Sequence, residues 1–117
     1  MIDGQALSWD ELEASQAIDP EWVTSGRVEE ASKIVFTSDD HKFVVQIWES
    51  HAAVELDIEG YPADEFATII SGSLELIGSQ SESKFYGPGD SLLIPKGFCG
   101  RWIQKGPVRK YSVSYLV

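Results

Sequence analysis

The sequence predicts an all-β domain, a sandwich or barrel of short antiparallel strands. Three observations carry this. Residues 53–58 alternate Val54, Leu56 and Ile58 against Glu55 and Asp57, with Glu59 following, the period-two pattern of a strand with one buried and one wet face. About nine short β-branched or aromatic runs recur with turn residues at intervals of roughly 8–12 positions. The stretch Gly87-Pro88-Gly89-Asp90 is a turn that a strand interior cannot hold, so the chain reverses there.

Each element follows in order. Ser8-Trp9-Asp10-Glu11 has capping-box spacing with acids in its first turn, which predicts a short helix over residues 9–15. Asp19-Pro20 ends or redirects it. Trp22 and Val23 supply apolar anchors, so residues 1–31 are expected to pack as an N-terminal arm on a barrel formed by residues 32–117. Strands are expected at 33–37, 43–49 and 53–58, the first two parted by the turn cluster Ser38-Asp39-Asp40-His41. Strands 65–71 and 73–77 meet at a tight turn on Ser71-Gly72. A polar hairpin loop at 78–83 leads to a strand at 84–86. Strands at 91–94, 101–104 and 108–116 complete the set, with turns at 95–97 and at Lys105-Gly106-Pro107. No internal repeat or low-complexity segment interrupts it.

A length of 117 residues fits one domain with one core. The lone cysteine, Cys99, excludes an intrachain disulfide. The acidic N-terminal stretch lacks the apolar centre of a signal peptide, and no apolar run approaches a membrane span, so the expected location is the cytoplasm. Net charge is −10, with 14 acids and 3 bases in residues 1–60 against 5 acids and 6 bases in residues 61–117. That balance argues against nucleic acid and anionic lipid as partners. Lys96, Arg101, Lys105, Arg109 and Lys110 form a cationic run with no acid between them. It fits a solvated strand face, an interface to the acidic half, or an anionic ligand at the barrel mouth.

Residues 61–102 carry two spaced motifs. One is Glu65-x6-Gly72. The other is Gly89-x5-Pro95-x-Gly97-x2-Gly100. These resemble the two signature motifs of the cupin superfamily, and residues 43–113 resemble its small cupin_3 group, which includes the ureidoglycine aminohydrolase cupin domain. The resemblance implies a small jelly-roll barrel (a double-stranded β-helix) and an inward-pointing Glu65. It also implies where a metal would sit: two histidines and a glutamate in the first motif and a histidine in the second. Here the first histidine slots hold Ile58 and Gly60, or Glu59 and Tyr61, depending on the spacer, and the second motif's slot holds Gly100. Only Glu65 remains. One carboxylate holds a divalent ion weakly, so no metal and no cofactor are expected.

A buried carboxylate without metal needs hydrogen-bond donors or a cation, or it stays protonated. The candidate partners of Glu65 are Tyr61, Trp102, Tyr111 and Arg109 or Lys110. Glu65 is the candidate catalytic residue, a general acid or base; the other reading is a satisfied structural glutamate closing a hairpin. Trp102 shares the inward face with Gly100 by strand alternation and either floors a pocket or packs the core. Trp48 raises the same question, because residues 43–49 are apolar on both faces. The candidate ligand-binding set is therefore Tyr61, Glu65, Trp102, Tyr111 and Trp48. His41 and His51 fall outside both motifs, and Cys99 lacks an activating base nearby in sequence.

Three functions fit. The first is binding of a small molecule in a metal-free barrel. The second is an enzyme on a small nitrogenous or carboxylate metabolite, as in the ureidoglycine aminohydrolase group. The third is a structural dimeric barrel with a closed pocket. A homodimer is expected in each case, since residues 43–48 carry more apolar surface than one core uses and edge strands need cover.

Overall fold

The computed structural model describes residues 7–116. Among them, eleven strands form two antiparallel sheets that pack face to face. The strands are β1 (Glu13–Ala14), β2 (Val23–Gly26), β3 (Glu30–Thr37), β4 (Phe43–Ser50), β5 (Val54–Glu59), β6 (Asp64–Ser71), β7 (Leu74–Gly78), β8 (Ser83–Tyr86), β9 (Ser91–Ile94), β10 (Cys99–Gln104) and β11 (Val108–Tyr115). The six-stranded sheet runs β1-β3-β4-β11-β6-β9 and the five-stranded sheet β2-β5-β10-β7-β8. Consecutive strands mostly fall in opposite sheets, which is the jelly-roll arrangement the sequence leads one to expect.

Period-two burial builds the core between the sheets. Val54, Leu56 and Ile58 point inward from β5, and Ala67 and Ile69 from β6, while Glu55, Asp57 and Glu59 stay on the wet face. Leu92 and Ile94 complete the inner layer from β9. Trp48 and Trp102 lie in the same core, their rings edge to face with centroids 5.9 Å apart.

The helix expected over residues 9–15 is not there. A single 3-10 turn, Trp9–Glu11, follows Ser8, with the Glu11 carboxylate accepting from the Ser8 N–H at 3.2 Å. The chain then extends, because Glu13 and Ala14 pair with Ser32 and Ala31 on the free edge of β3. A sheet edge with unpaired backbone groups outcompetes a helix too short to sustain itself. A second 3-10 turn, Pro20–Trp22, is capped by Asp19, whose Oδ1 accepts from the Glu21 N–H. Strand β2 follows and pairs with β5. The N-terminal segment thus adds one strand to each sheet.

The turns are fixed by glycines where the backbone demands them. Gly72 has φ +78°, and a Cβ there would stand 2.0 Å from the Pro107 carbonyl oxygen. Gly72→Ala is therefore expected to lower stability by at least about 2 kcal/mol, since strain at positive φ adds to a backbone clash. Chemical denaturation measures it; an unchanged midpoint would contradict this reading of the turn.

Candidate functional site

The site is built on a buried ion pair. Inward parity on β6 carries Glu65 into the space between the sheets, where its side chain is 6% exposed. On β11 the register against β6 shifts between Arg109 and Lys110. The extra residue is Ile70 on β6, and alternation on β11 is unbroken: Lys110 points inward with Val108, Ser112 and Ser114, its side chain 7% exposed and its Nζ donating to Glu65 Oε2 at 2.5 Å. The Tyr61 hydroxyl donates to Glu65 Oε1 at 2.9 Å, and the Ser114 hydroxyl lies 3.4 Å from the same oxygen. Tyr61 is placed by the second motif's loop: its N–H donates to the Phe98 carbonyl and its carbonyl accepts from the Gly97 N–H.

Two indoles enclose the ammonium. Lys110 Nζ stands 4.9 Å from the Trp48 ring centroid and 5.4 Å from that of Trp102. Both distances lie within cation–π range, and desolvation strengthens the attraction. Burial disfavours a charged Glu65, but the Lys110 ammonium and the hydrogen bonds from Lys110 and Tyr61 outweigh it. Its pKa falls below the ordinary carboxylate range. Burial likewise disfavours a charged Lys110, and the Glu65 carboxylate reverses this, so its pKa rises above the usual lysine value. Burial pushes the Tyr61 phenol up to about 12. At neutral pH the site holds an ammonium, a carboxylate and a neutral phenol. General acid–base work favours groups that titrate near the working pH. This trio suits fixed electrostatics instead.

Beside the pair lies a cavity of about 50 Å³, walled by Gln46, Leu56 and Ile58 and by the two indoles. That volume takes a few waters or a fragment of a few heavy atoms. Its outer wall is the N-terminal segment, through Ala17, Ile18 and Trp22. Glu30, only 9% exposed, holds this strap down. Its Oε1 accepts from Ser15 Oγ (3.0 Å), the Ala17 N–H (3.1 Å) and Trp48 Nε1 (2.8 Å), and its Oε2 accepts from the Ile18 N–H (3.0 Å). One carboxylate therefore ties the strap to an indole of the pocket wall. On the solvent side of the strap is an open cleft of about 760 Å³, bordered by Asp19, Val28 and Glu59.

Glu30→Gln keeps one carbonyl acceptor and turns an amino group toward a backbone N–H. It is expected to cost about 1–3 kcal/mol. Amide exchange at Ala17 and Ile18 should accelerate by more than that global loss accounts for. Exchange there that tracks global unfolding alone would show that Glu30 does not latch the strap.

Of the residues singled out from sequence, Glu65, Tyr61, Trp48 and Trp102 meet at this pocket. Trp102 does not hydrogen-bond Glu65: its Nε1 donates to Gln104 Oε1 at 3.1 Å, and its ring flanks Lys110. Tyr111 does not join them. It pairs with Ile47 and Thr68 across the sheet and faces outward, because it follows the inward Lys110 by one residue. Arg109 also lies outside, bound to Glu49 and to the Leu7 carbonyl. His51 contacts the same Glu49 carboxylate and stacks on Trp9 with centroids 3.6 Å apart, and His41 occupies a turn with φ 60°. Cys99 is exposed. Sequence reasoning missed Glu30 and Gln104. Gln104 is buried on β10, accepts from Trp102, and its Nε2 lies within hydrogen-bond distance of the Ser50, Ala52 and Gly106 carbonyls. A glutamine in an otherwise apolar inward row was the available signal.

The residues do not fit a cupin-type metal centre. Ile58 sits inward where a histidine would, Gly60 is a turn residue at φ +90°, and a Cβ at Gly100 would meet the Ile77 carbonyl and the Phe98 ring. Phe98 packs against the core beside that slot. Glu65, the remaining donor, is already paired with an ammonium. Among the described residues no three histidine, cysteine, aspartate or glutamate side chains are grouped to hold an ion. The positive charge in this pocket comes from Lys110.

Comparison with known proteins agrees with this geometry. The EutQ-like cupin domain family matches residues 37–111. No curated protein matches the chain in sequence. A solved protein of unknown function from Pseudomonas syringae pv. tomato superposes with a TM-score of 0.85 at 23% identity, covering 97% of this chain and 46% of that one. This chain thus spans less than half of that relative. The Clostridium difficile EutQ protein gives a TM-score of 0.63 at 21% identity, covering 76% of this chain and 69% of that one. The polyketide cyclase RemF from Streptomyces resistomycificus gives 0.70 at 15% identity, covering 100% and 79%. These likenesses show the fold. With the family match over most of the strands and both motif positions in the two-sheet fold, whose sheets do not close into the expected barrel, the chain belongs to the EutQ-like cupin domain family.

Proposed function

We propose that this cupin domain is a metal-independent binding module for a small polar molecule, admitted beneath the N-terminal strap. The observation that carries the reading is the Glu65–Lys110 pair set between two indoles and facing a cavity, with Tyr61 beside it. Natural cores seldom keep a lysine this buried without a use for it, because an apolar substitute of similar volume is often as stable. The Lys110 ammonium has N–H donors beyond the one given to Glu65, which suit a carbonyl or carboxylate oxygen, the Tyr61 hydroxyl oxygen can accept from an amide, and the indole walls suit a small planar body. The cavity is small at rest, so any larger ligand must lift residues 15–18 and join the pocket to the outer cleft. The fixed charges favour binding and electrostatic stabilisation over proton transfer by Glu65. The single cysteine and the acidic surface suit a cytoplasmic protein. No helix among the described residues is long and apolar enough to cross a membrane.

The small resting cavity favours one other reading, a structural barrel whose pocket is closed. Tryptophan fluorescence separates the two, since Trp22, Trp48 and Trp102 all border the pocket. Propionate and propionamide serve as probes. A saturable response to either, weakened in Tyr61→Phe, is expected for the binding module. A linear or absent response to both, unchanged in Tyr61→Phe, would leave the structural reading standing.

A further inference from the structure

The cavity wall carries one polar side chain that the fold does not use. Gln46 lies on β4 two residues before Trp48, so it shares the inward face of that strand, and it is half-buried on the wall. Ser112 pairs with Gln46 across the sheet and Lys110 pairs with Trp48. Gln46 and Lys110 are therefore diagonal neighbours, about 7 Å apart along the wall. Among the described residues the Gln46 amide makes no hydrogen bond. Gln104, the other inward glutamine, is the contrast. Its amide oxygen accepts from Trp102 and its amide nitrogen lies against backbone carbonyls, so it is a satisfied part of the core. Gln46 is left with both halves of its amide to offer.

Charge narrows what the cavity can take. Glu65 and Lys110 are the two charged side chains on its wall, and they neutralise each other. An anion drawn in would leave water without an unmatched cation to receive it, and a cation would meet the Lys110 ammonium. A neutral ligand escapes both costs. The hydrogen-bonding groups narrow the class further. Lys110 has N–H donors beyond the one given to Glu65, and Gln46 presents a carbonyl acceptor beside an amino donor. A primary carboxamide matches that set, with a carbonyl for the ammonium and an amino group for the Gln46 carbonyl. A carboxylate of the same shape has no N–H to give.

We infer that the cavity selects a neutral primary carboxamide over the equivalent carboxylate, and that Gln46 is the residue that reads the amide. The inference rests on the binding-module reading and names its ligand class. At about 50 Å³ the cavity takes the amide group on a short apolar stem, between walls that include the Trp48 and Trp102 rings.

Fluorescence titrations of the whole chain with propionamide and propionate at pH 7 test this. Propionamide should bind at least about tenfold more tightly, the ratio that about one well-made hydrogen bond supplies. Gln46→Met keeps the length of the side chain and removes its amide, so it should narrow the preference about fivefold. Gln46→Glu keeps an acceptor for the amide N–H and repels the carboxylate, so it should widen the preference. Thermal melts check that both variants are folded. A role for Gln46 in packing alone would not move the ratio in opposite directions. Equal affinities, or tighter binding of propionate, would overturn the inference and leave a small-molecule pocket standing. A preference unchanged in both variants would overturn the assignment to Gln46. No response to either probe would remove the binding reading, and this inference with it.

Discussion

Lys110→Ala is expected to lower folding stability by about 3–5 kcal/mol, the usual cost of leaving the other half of a buried ion pair unpaired. Glu65 would keep Tyr61 but lose its cation, and the two indoles would lose the charge between them. The double variant Glu65→Leu/Lys110→Met should recover most of that loss, because removing both charges leaves nothing unpaired. A Lys110→Ala protein within about 1 kcal/mol of wild type would mean that the pair is solvated rather than buried.

The pair also sets a pH window. Glu65 titrates below its ordinary value in the folded state, so its contribution is complete above about pH 4.5 and fades as pH falls through the lower folded pKa. Lys110 titrates above its ordinary value, so its contribution is complete below pH 10.5 and fades only as pH rises past that point. Between these limits the stability difference between wild type and the double variant should be flat. On the acid side it should move in favour of the double variant, which has no carboxylate there to protonate. Urea melts across that range measure this.

Trp102→Ala is expected to have a comparable effect, about 3–5 kcal/mol. The side chain is 4% exposed, packs edge to face on Trp48, donates to Gln104 and flanks Lys110. Its loss should enlarge the existing cavity rather than let the sheets collapse, because β10 is clamped between β5 and β7 along four paired residues on the β7 side. Added indole should therefore raise the melting temperature of the variant and leave wild type unmoved, as an apolar cavity takes an apolar guest of matching shape. A variant that indole does not rescue would show that the wall collapses and that Trp102 is packing alone.

Much of the sheet framework was legible in the sequence because its causes are local. The alternation of Val54, Leu56 and Ile58 fixes which face is buried, and Gly72 and Gly89 mark backbone conformations that other residues strain to adopt. Parity on β6 then sends Glu65 inward, as the motif spacing implied. What was not legible depends on distant partners. Lys110 rather than Tyr111 faces the pocket because Val108, Lys110, Ser112 and Ser114 form the inward row of β11, and that row is no more apolar than the outward Tyr111, Val113 and Tyr115, so only the neighbouring strands decide which row is buried. Glu30 reads as a surface acid until the strap brings three backbone and side-chain donors from residues 15–18 onto it. Glu13 and Ala14 read as helix because nothing local tells of the open β3 edge that captures them.

An internal ammonium, held by Glu65, supplies the positive charge between the two sheets. Metal analysis of protein purified without affinity-metal exposure, followed by melts with added Mn²⁺, Zn²⁺ and Ni²⁺, tests it most directly. Metal far below one equivalent is expected, with a melting temperature that none of the three ions raises. Near-stoichiometric metal, or a large upward shift that disappears in Glu65→Ala, would contradict it.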